Sequence, residues 1–238
     1  MKIQSPYTVI FEDGKIIAVN KISGVSVGGD RWDDSKERLD KLLEKNLTKE
    51  KIFVVHRIDK ETSGLVLFAK DKETHRDLSL AFERRKIGKK YIAIANGHPL
   101  WKETTCNLPL VPNGNKKHMT IIDKYRGKKS ITKFNVLITC HNYCALEVLP
   151  ETGRIHQIRV HAASLGHPVV CDSLYGNANA VKLSSFKRGY RGDPYEERPL
   201  LSRLGLHAME LALPSGQILT APMPKDMASL IKQMEKNS

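Results

Sequence analysis

Asp59 is flanked by two cations at the centre of the stretch Val55-His56-Arg57-Ile58-Asp59-Lys60-Glu61-Thr62-Ser63-Gly64. An ionised carboxylate serves as a nucleophile or a general base when neighbouring cations and hydrogen bonds aim it. On local chemistry alone, Asp59 beside Arg57 and Lys60 reads as a surface turn residue. A second polar block, residues 151–161, carries Arg154, His156, Arg159 and His161. By themselves these histidines read as capping or packing groups, and the spacing of His156, His161 and His167 offers no i, i+4 pair for zinc. A third candidate is Cys140-His141-Asn142-Tyr143-Cys144, which suggests a metal or a thiol nucleophile. Cys106 and Cys171 lack the spacing that would complete a tetrahedral set with it.

These groups need rigid supports. Residues 52–55 and 65–69 are short apolar runs, so the decapeptide containing Asp59 reads as a loop held between two strands, with Gly64 easing re-entry into the sheet. Upstream, Val9-Ile10-Phe11 and Ile16-Ile17-Ala18-Val19 bracket Asp13-Gly14, a hairpin signal. Leu39, Leu42 and Leu43 predict a helix over 34–46. Leu78, Ala81 and Phe82 predict another over 71–86, with Asp71 as N-cap and Arg84, Arg85 and Lys86 at its end. The strand expected over 88–95 opens on Lys89, Lys90 and Tyr91. These offer a phosphate dock, or else a solvated helix end followed by half-buried packing.

Residues 102–129 predict short strands and basic loops carrying Lys116, Lys117, Lys124, Arg126, Lys128 and Lys129. A hairpin is expected from 131–138 and 143–149, turning at Cys140-His141-Asn142. Ile155, Ile158, Ala162 and Leu165 predict a helix over 157–165 with its polar residues turned to a cleft. Residues 178–203, rich in Gly, Pro and charge, read as a surface excursion and a further candidate contact for a partner. A last amphipathic helix is marked by Met227, Leu230, Ile231 and Met234.

The 238 residues suffice for one sizeable domain or two small ones without disulfide staples. Four sparse cysteines fit reduced thiols. No run is long enough to span a bilayer and no cleavable leader is evident, so a cytoplasmic location and no membrane partner are expected. Lys and Arg number 39 against 26 Asp and Glu, a net charge of +13 that favours a polyanion through phosphate contacts and counterion release.

The decapeptide resembles the signature His-Arg-Leu-Asp-x-x-Thr-Ser-Gly of the RluA-type pseudouridine synthases, with Ile58 in place of Leu. The second block resembles that family's Thr-Gly-Arg-x-His-Gln-Ile/Leu-Arg-Val-His, and Gly166-His167-Pro168, Asp172 and Tyr175-Gly176 continue the pattern. Leu206-His207-Ala208 resembles its Leu-His-Ala strand. Two departures stand out. Asn20-Lys21-Ile22-Ser23-Gly24 has Ile22 where the family has Pro, which implies a more mobile loop. Val25-Ser26-Val27-Gly28-Gly29 replaces a Val-His-Pro segment, which implies an entrance of different shape.

The resemblance, which runs from about Val9 to Pro222, implies an α+β fold with a central mixed, mainly antiparallel β-sheet flanked by helices. It implies a single catalytic domain over 1–238, without the separate N-terminal RNA-binding domain of some relatives, acting as a monomer on tRNA or rRNA. It also assigns roles. Asp59 is the catalytic residue, Arg159 keeps the carboxylate ionised and aimed, and Tyr91 stacks on the target base and is a candidate for proton removal from C5. Leu206 lies beneath the ring, and Arg57 fills the space left by a flipped base. His56, Arg154, His156, Lys89 and Lys90 are expected on the RNA side. Isomerising uridine breaks a C–N bond and forms a C–C bond without redox change, so no cofactor or metal is expected. Two alternatives remain open: a non-catalytic RNA-binding or ribosome-assembly protein, and a thiol or metal hydrolase built on Cys140 and His141.

Overall fold

The computed structural model describes residues 5–29, 38–48, 51–115, 119–193 and 195–238. Lys116, Lys117 and the start of the helix expected from residue 34 lie outside them. In chain order the first strands are β1 (Tyr7–Glu12), β2 (Ile16–Lys21), β3 (Phe53–Val54), β4 (Ser63–Ala69), β5 (Gly88–Asn96) and β6 (Glu103–Cys106). They continue as β7 (Leu110–Val111), β8 (Ile121–Ile122), β9 (Thr132–Cys140), β10 (Tyr143–Pro150), β11 (Leu206–Ala212) and β12 (Ile218–Thr220). The helices are α1 (Leu39–Leu43), α2 (Lys72–Glu83), α3 (Gln157–Ser164) and α4 (Lys225–Lys236). A π-helical turn, Glu44–Thr48, prolongs α1. The chain is α+β and divides into two units, one of residues 1–89 and 207–222, the other of residues 90–206 and 223–238.

In the first unit the Asp13-Gly14 hairpin forms as expected, since Asp13 Oδ1 accepts the amides of Lys15 and Ile16 at 2.8 and 2.7 Å. β2 pairs antiparallel with β4 along its length, β3 pairs with the far end of β4, and β11 runs parallel to β4 through His207 opposite Ser63. The sheet is therefore mixed. α2 lays Leu78, Ala81 and Phe82 on a core of Ile16, Ala18, Leu65, Leu67, Leu211 and Leu219. Its N-terminus is capped by Asp71, whose carboxylate accepts Thr74 N–H at 2.8 Å, and it ends at Glu83, leaving Arg84 to Lys86 exposed.

β4 begins two residues earlier than the apolar run suggested, so Ser63 and Gly64 belong to the sheet and not to the loop. Gly64 has φ +118°. A Cβ there would lie 2.2 Å from Ala208 O and 2.6 Å from Ala208 N, so only glycine lets β11 approach this closely.

The second unit is built on the antiparallel order β5, β10, β9, β6, with β7 and β8 forming a separate small ribbon. Ala93, Ala95, Phe134, Leu146 and Val148 meet Ile158 and Ala162 of α3 in its core. α4 buries Met227, Leu230 and Met234 completely, while Ile231 is only half-buried. Residues 178–203 differ from the free excursion expected. Val181 N–H donates to Leu201 O at 2.8 Å, and Val181, Leu201 and Phe186 are buried, so the segment is pinned by apolar residues hidden in a polar sequence.

Gly64→Ala is expected to cost about 3 kcal/mol or more, through positive φ and a backbone clash, measured by chemical denaturation.

Candidate active site

The loop around Asp59 is held from its own side of the first unit. Lys21, at the end of β2 and 1 % exposed, sends its ammonium to Ile22 O and Lys60 O at 2.9 and 3.0 Å. Gly24 N–H donates to Lys60 O at 2.8 Å, the Ser23 hydroxyl to Glu61 O at 2.7 Å, and Thr62 N–H to Asp59 O at 3.1 Å. The segment 21–24 thus clamps the backbone on the C-terminal side of Asp59, whose residue is half-buried. Ile22 does not loosen this clamp. Its amide donates to Pro6 O at 3.1 Å, a bond that a proline could not make. The carbonyls of Ser26 and Val27 accept the amides of Leu39 and Asp40, so the variant segment after it receives the start of α1.

The signature divides its labour. Arg57 is exposed and has no partner among the described residues. His56 is half-buried: its Nε2 accepts Leu67 N–H at 2.9 Å and its ring stacks on Phe82 with centroids 4.5 Å apart. An amide can only donate, so Nε2 is unprotonated. Burial, with the nearby Lys89 charge, depresses the ring's pKa to about 3. The ring is therefore neutral and packed against β4 and α2. Ser63 and the wholly buried His207 form another internal pair: His207 Nε2–H donates to Ala221 O at 3.3 Å, leaving Nδ1 to accept the Ser63 hydroxyl at 3.0 Å. Lys89 is partly buried, and burial followed by repulsion from Arg85 lowers its pKa to about 8.

In the second unit β5 places Tyr91 opposite Val148, and its ring packs on the cluster that contains Ile158 and the buried Leu206. Tyr91 and Leu206 thus belong to one hydrophobic cluster. Lys90 lies 3.9 Å from Glu147, which compensates part of its charge.

The turn into α3 is built on Gln157. Its Oε1 accepts the Thr152 hydroxyl at 2.7 Å and Arg154 N–H at 3.0 Å, while its Nε2 donates to Ile131 O and Thr132 Oγ1 at 3.0 and 2.9 Å. His161 bonds Leu108 O through Nε2 and Thr132 Oγ1 through Nδ1, both at 2.9 Å, and burial lowers its pKa. The polar residues of α3 therefore face protein partners. The expectation that they line a cleft fails for Gln157 and His161 because β9 offers buried polar groups that need them.

Arg159 is 5 % exposed in its side chain and forks onto Asp172, Nε to Oδ2 and the terminal nitrogen to Oδ1, both at 2.7 Å. Burial pushes the Asp172 carboxyl up, but the Arg159 bonds and charge, with the amides of Leu174 and Tyr175, outweigh it and hold the pKa below the usual range. The Tyr175 ring lies 5.2 Å under the guanidinium. Tyr175 Oη accepts Thr120 N–H at 2.9 Å and shares a second hydrogen bond with His156 Nδ1 at 2.9 Å. His156 itself sits at φ +53°, the left-handed N-cap of α3. The Arg154 guanidinium donates to Lys129 O at 3.4 Å through two nitrogens. The positioning roles of Lys21, Asp172 and Tyr175 were not assigned from sequence; only their membership of the family pattern marked them.

The thiols contradict an acidic nucleophile. Burial raises the pKa of Cys140 and pushes that of Cys144 to about 12, and their sulfurs donate to Asn237 O and Ala95 O.

His56 sets an acid limit. Below its ordinary value of 6.5 the unfolded ring takes up a proton that the folded ring refuses until about pH 3, so stability is lost as pH falls through that window. His56→Gln, which keeps an acceptor for Leu67 N–H, is expected to flatten this limb, and its stability should approach the wild type's between about pH 7 and about pH 4 in denaturation midpoints.

Comparison with known proteins bears on the family of the chain. Residues 15–164 match the family model for RNA pseudouridylate synthase. The chain is 30 % identical over 242 residues to ribosomal large subunit pseudouridine synthase D of Zymomonas mobilis, covering 96 % of this chain and 73 % of that one. It is 37 % identical over 210 residues to the dual-specificity RNA pseudouridine synthase RluA of Vibrio cholerae, covering 85 % and 75 %. It spans only 54 % of a pseudouridine synthase C of Buchnera aphidicola to which it is 37 % identical. Human RNA pseudouridylate synthase domain containing 4 shares the fold, with TM-score 0.74 and 22 % identity over 95 % of this chain and 92 % of that one. Among the described residues no helix is long and apolar enough to cross a membrane. On the extent of these matches, the chain belongs to the RNA pseudouridylate synthase family.

Proposed function

We propose that this protein isomerises specific uridines of tRNA or rRNA to pseudouridine, with Asp59 as the catalytic residue. The observation that carries the reading is the backbone clamp on Asp59 by residues 21–24, within the block that matches the family signature. A loop tied through its carbonyls leaves its side chains available for chemistry. Both units are read as one catalytic domain, since the family match runs through residues of each.

In this reading the carboxylate of Asp59 attacks the sugar C1′ or uracil C6, or removes a sugar proton on a glycal route. The C–N bond breaks, the uracil turns, C5 bonds to C1′, and the C5 hydrogen leaves as a proton while N1 takes one up. Arg159 supplies the positive charge that keeps the nucleophile aimed, and Asp172 is its positioning residue, fixing the fork of the guanidinium from behind. Tyr91 and Leu206 sandwich the base. Reaching a stacked uridine requires flipping it out at a cost of a few kcal/mol, and exposed Arg57 takes the vacated place. Arg154 and His156 border the bound RNA.

Release of tritium from RNA carrying 5-tritiated uridine tests this. Wild-type protein should release tritium and Asp59→Asn should not, while the variant's melting temperature and RNA affinity stay close to wild type. Release by Asp59→Asn, shown free of wild-type enzyme and of deamidation, would refute the role of Asp59. No release by wild type on tRNA or rRNA would leave a non-catalytic RNA-binding protein.

A further inference from the structure

The ribbon of β7 and β8 ends in a turn with an unusual display. Tyr125 is 99 % exposed at its tip, between Lys124 and Arg126 and followed by exposed Lys128 and Lys129. Such a ring contributes no packing to the fold. Among the described residues two other large hydrophobic side chains are about as open. Tyr195 at 95 % stands among Asp193, Glu196 and Glu197, which repel phosphate, and Leu100 at 99 % offers no π-face.

The turn that carries Tyr125 is rigid. Asp123 Oδ1 accepts the amides of Tyr125 and Arg126 at 2.9 and 3.0 Å, and its Oδ2 accepts Arg126 Nε at 2.7 Å. Asp123 N–H donates to Pro109 O, Gly127 N–H to Asp123 O, and Leu110 and Lys128 exchange both backbone bonds. A Cβ at Gly127 would fall 2.3 Å from Asp123 O and 2.7 Å from Pro109 C, so the turn specifies glycine there. Arg126 is thus spent on Asp123, whereas Lys124, Lys128 and Lys129 have no ion-pair partner among the described residues.

The base of the ribbon and the chain after its turn are tied to residues on both sides of α3. Thr120 N–H donates to Tyr175 Oη, Arg154 to Lys129 O, and Gln157 to Ile131 O. Tyr175, which contacts both Arg159 and His156, therefore also holds one foot of this arm.

We propose that the 123–129 turn is a second RNA-contacting arm, in which Tyr125 stacks on an unpaired base outside the reacting uridine while Lys124, Lys128 and Lys129 hold the adjoining phosphates. Stacking on a rigid, water-exposed ring tolerates any base, so the arm selects for a loop or bulge rather than for a sequence. A preformed aromatic platform also spares the ordering cost that a flexible one incurs on binding. The inference rests on the RNA-modifying reading above.

The test uses the full chain and an RNA stem–loop with 2-aminopurine in the loop, beside a fully paired duplex of equal length. Tyr125→Ala should weaken stem–loop binding by about 5- to 150-fold and abolish the fluorescence quenching, with Tyr125→Trp and Tyr125→Phe retaining both. Duplex binding should change little. Lys124→Ala and Lys128→Ala should each lower the slope of log affinity against log salt by about one. Stem–loop affinity and quenching unchanged in Tyr125→Ala would overturn the proposal and leave the turn to a protein contact. Loop binding that depends on Tyr125 in a protein that releases no tritium would support the arm while defeating the isomerase reading. Normal tritium release with Tyr125→Ala affinity unchanged would do the reverse.

Discussion

Two opposite charges buried in the second unit constrain nearly everything around them. Arg159 and Asp172 meet through two 2.7 Å bonds with side chains 5 % and 0 % exposed. A pair this deep pays heavily in desolvation and recovers it only through good geometry and further hydrogen bonds. Removing one partner typically costs about 3–5 kcal/mol because a buried charge is stranded. Asp172 meets that demand by accepting the amides of Leu174 and Tyr175 besides the guanidinium. Tyr175 then lies beneath Arg159 and hydrogen-bonds His156 while accepting from Thr120. Well-packed hydrophobic residues of similar volume often stabilise a fold as well as a buried ion pair does. Whatever its use, the pair gives Arg159 a fixed position and direction.

The first unit meets a different constraint, that of holding a polar loop without using up its side chains. It does so through main-chain carbonyls. Lys60 O receives both the Lys21 ammonium and Gly24 N–H, and Glu61 O receives Ser23. Of the signature residues, His56, Ser63 and Gly64 serve the sheet, while Arg57 is left outward. A motif that reads as one functional patch is therefore a short exposed segment between two anchors.

This division explains what could be read from sequence. The Asp13-Gly14 hairpin, β9 and β10, the Asp71 cap and the stripe of α4 rest on local patterns, and the structure reproduces them. The bounds of β4 were missed because Ser63 is polar, and its partner, His207, lies 144 residues away. The inward face of α3 was misjudged for the same reason, since Gln157 and His161 are satisfied by Thr132, Ile131 and Leu108, none within reach of a helical period. Ile22 was taken to loosen its loop because proline's rigidity is visible in sequence, whereas the acceptor at Pro6 is not. The roles expected of Asp59, Arg159, Tyr91 and Leu206 came from resemblance; composition and spacing alone would have left Asp59 a turn residue.

The central claim is that Asp172 acts on the chemistry only by aiming Arg159. Single-turnover rates of pseudouridine formation in Arg159→Gln, Asp172→Asn and the double variant test it most directly, with folding checked in each. If the two act as a unit, Asp172→Asn should slow wild type severely yet cost little on the Arg159→Gln background. Losses that multiply, with Asp172→Asn slowing Arg159→Gln by the same factor as wild type, would contradict the account.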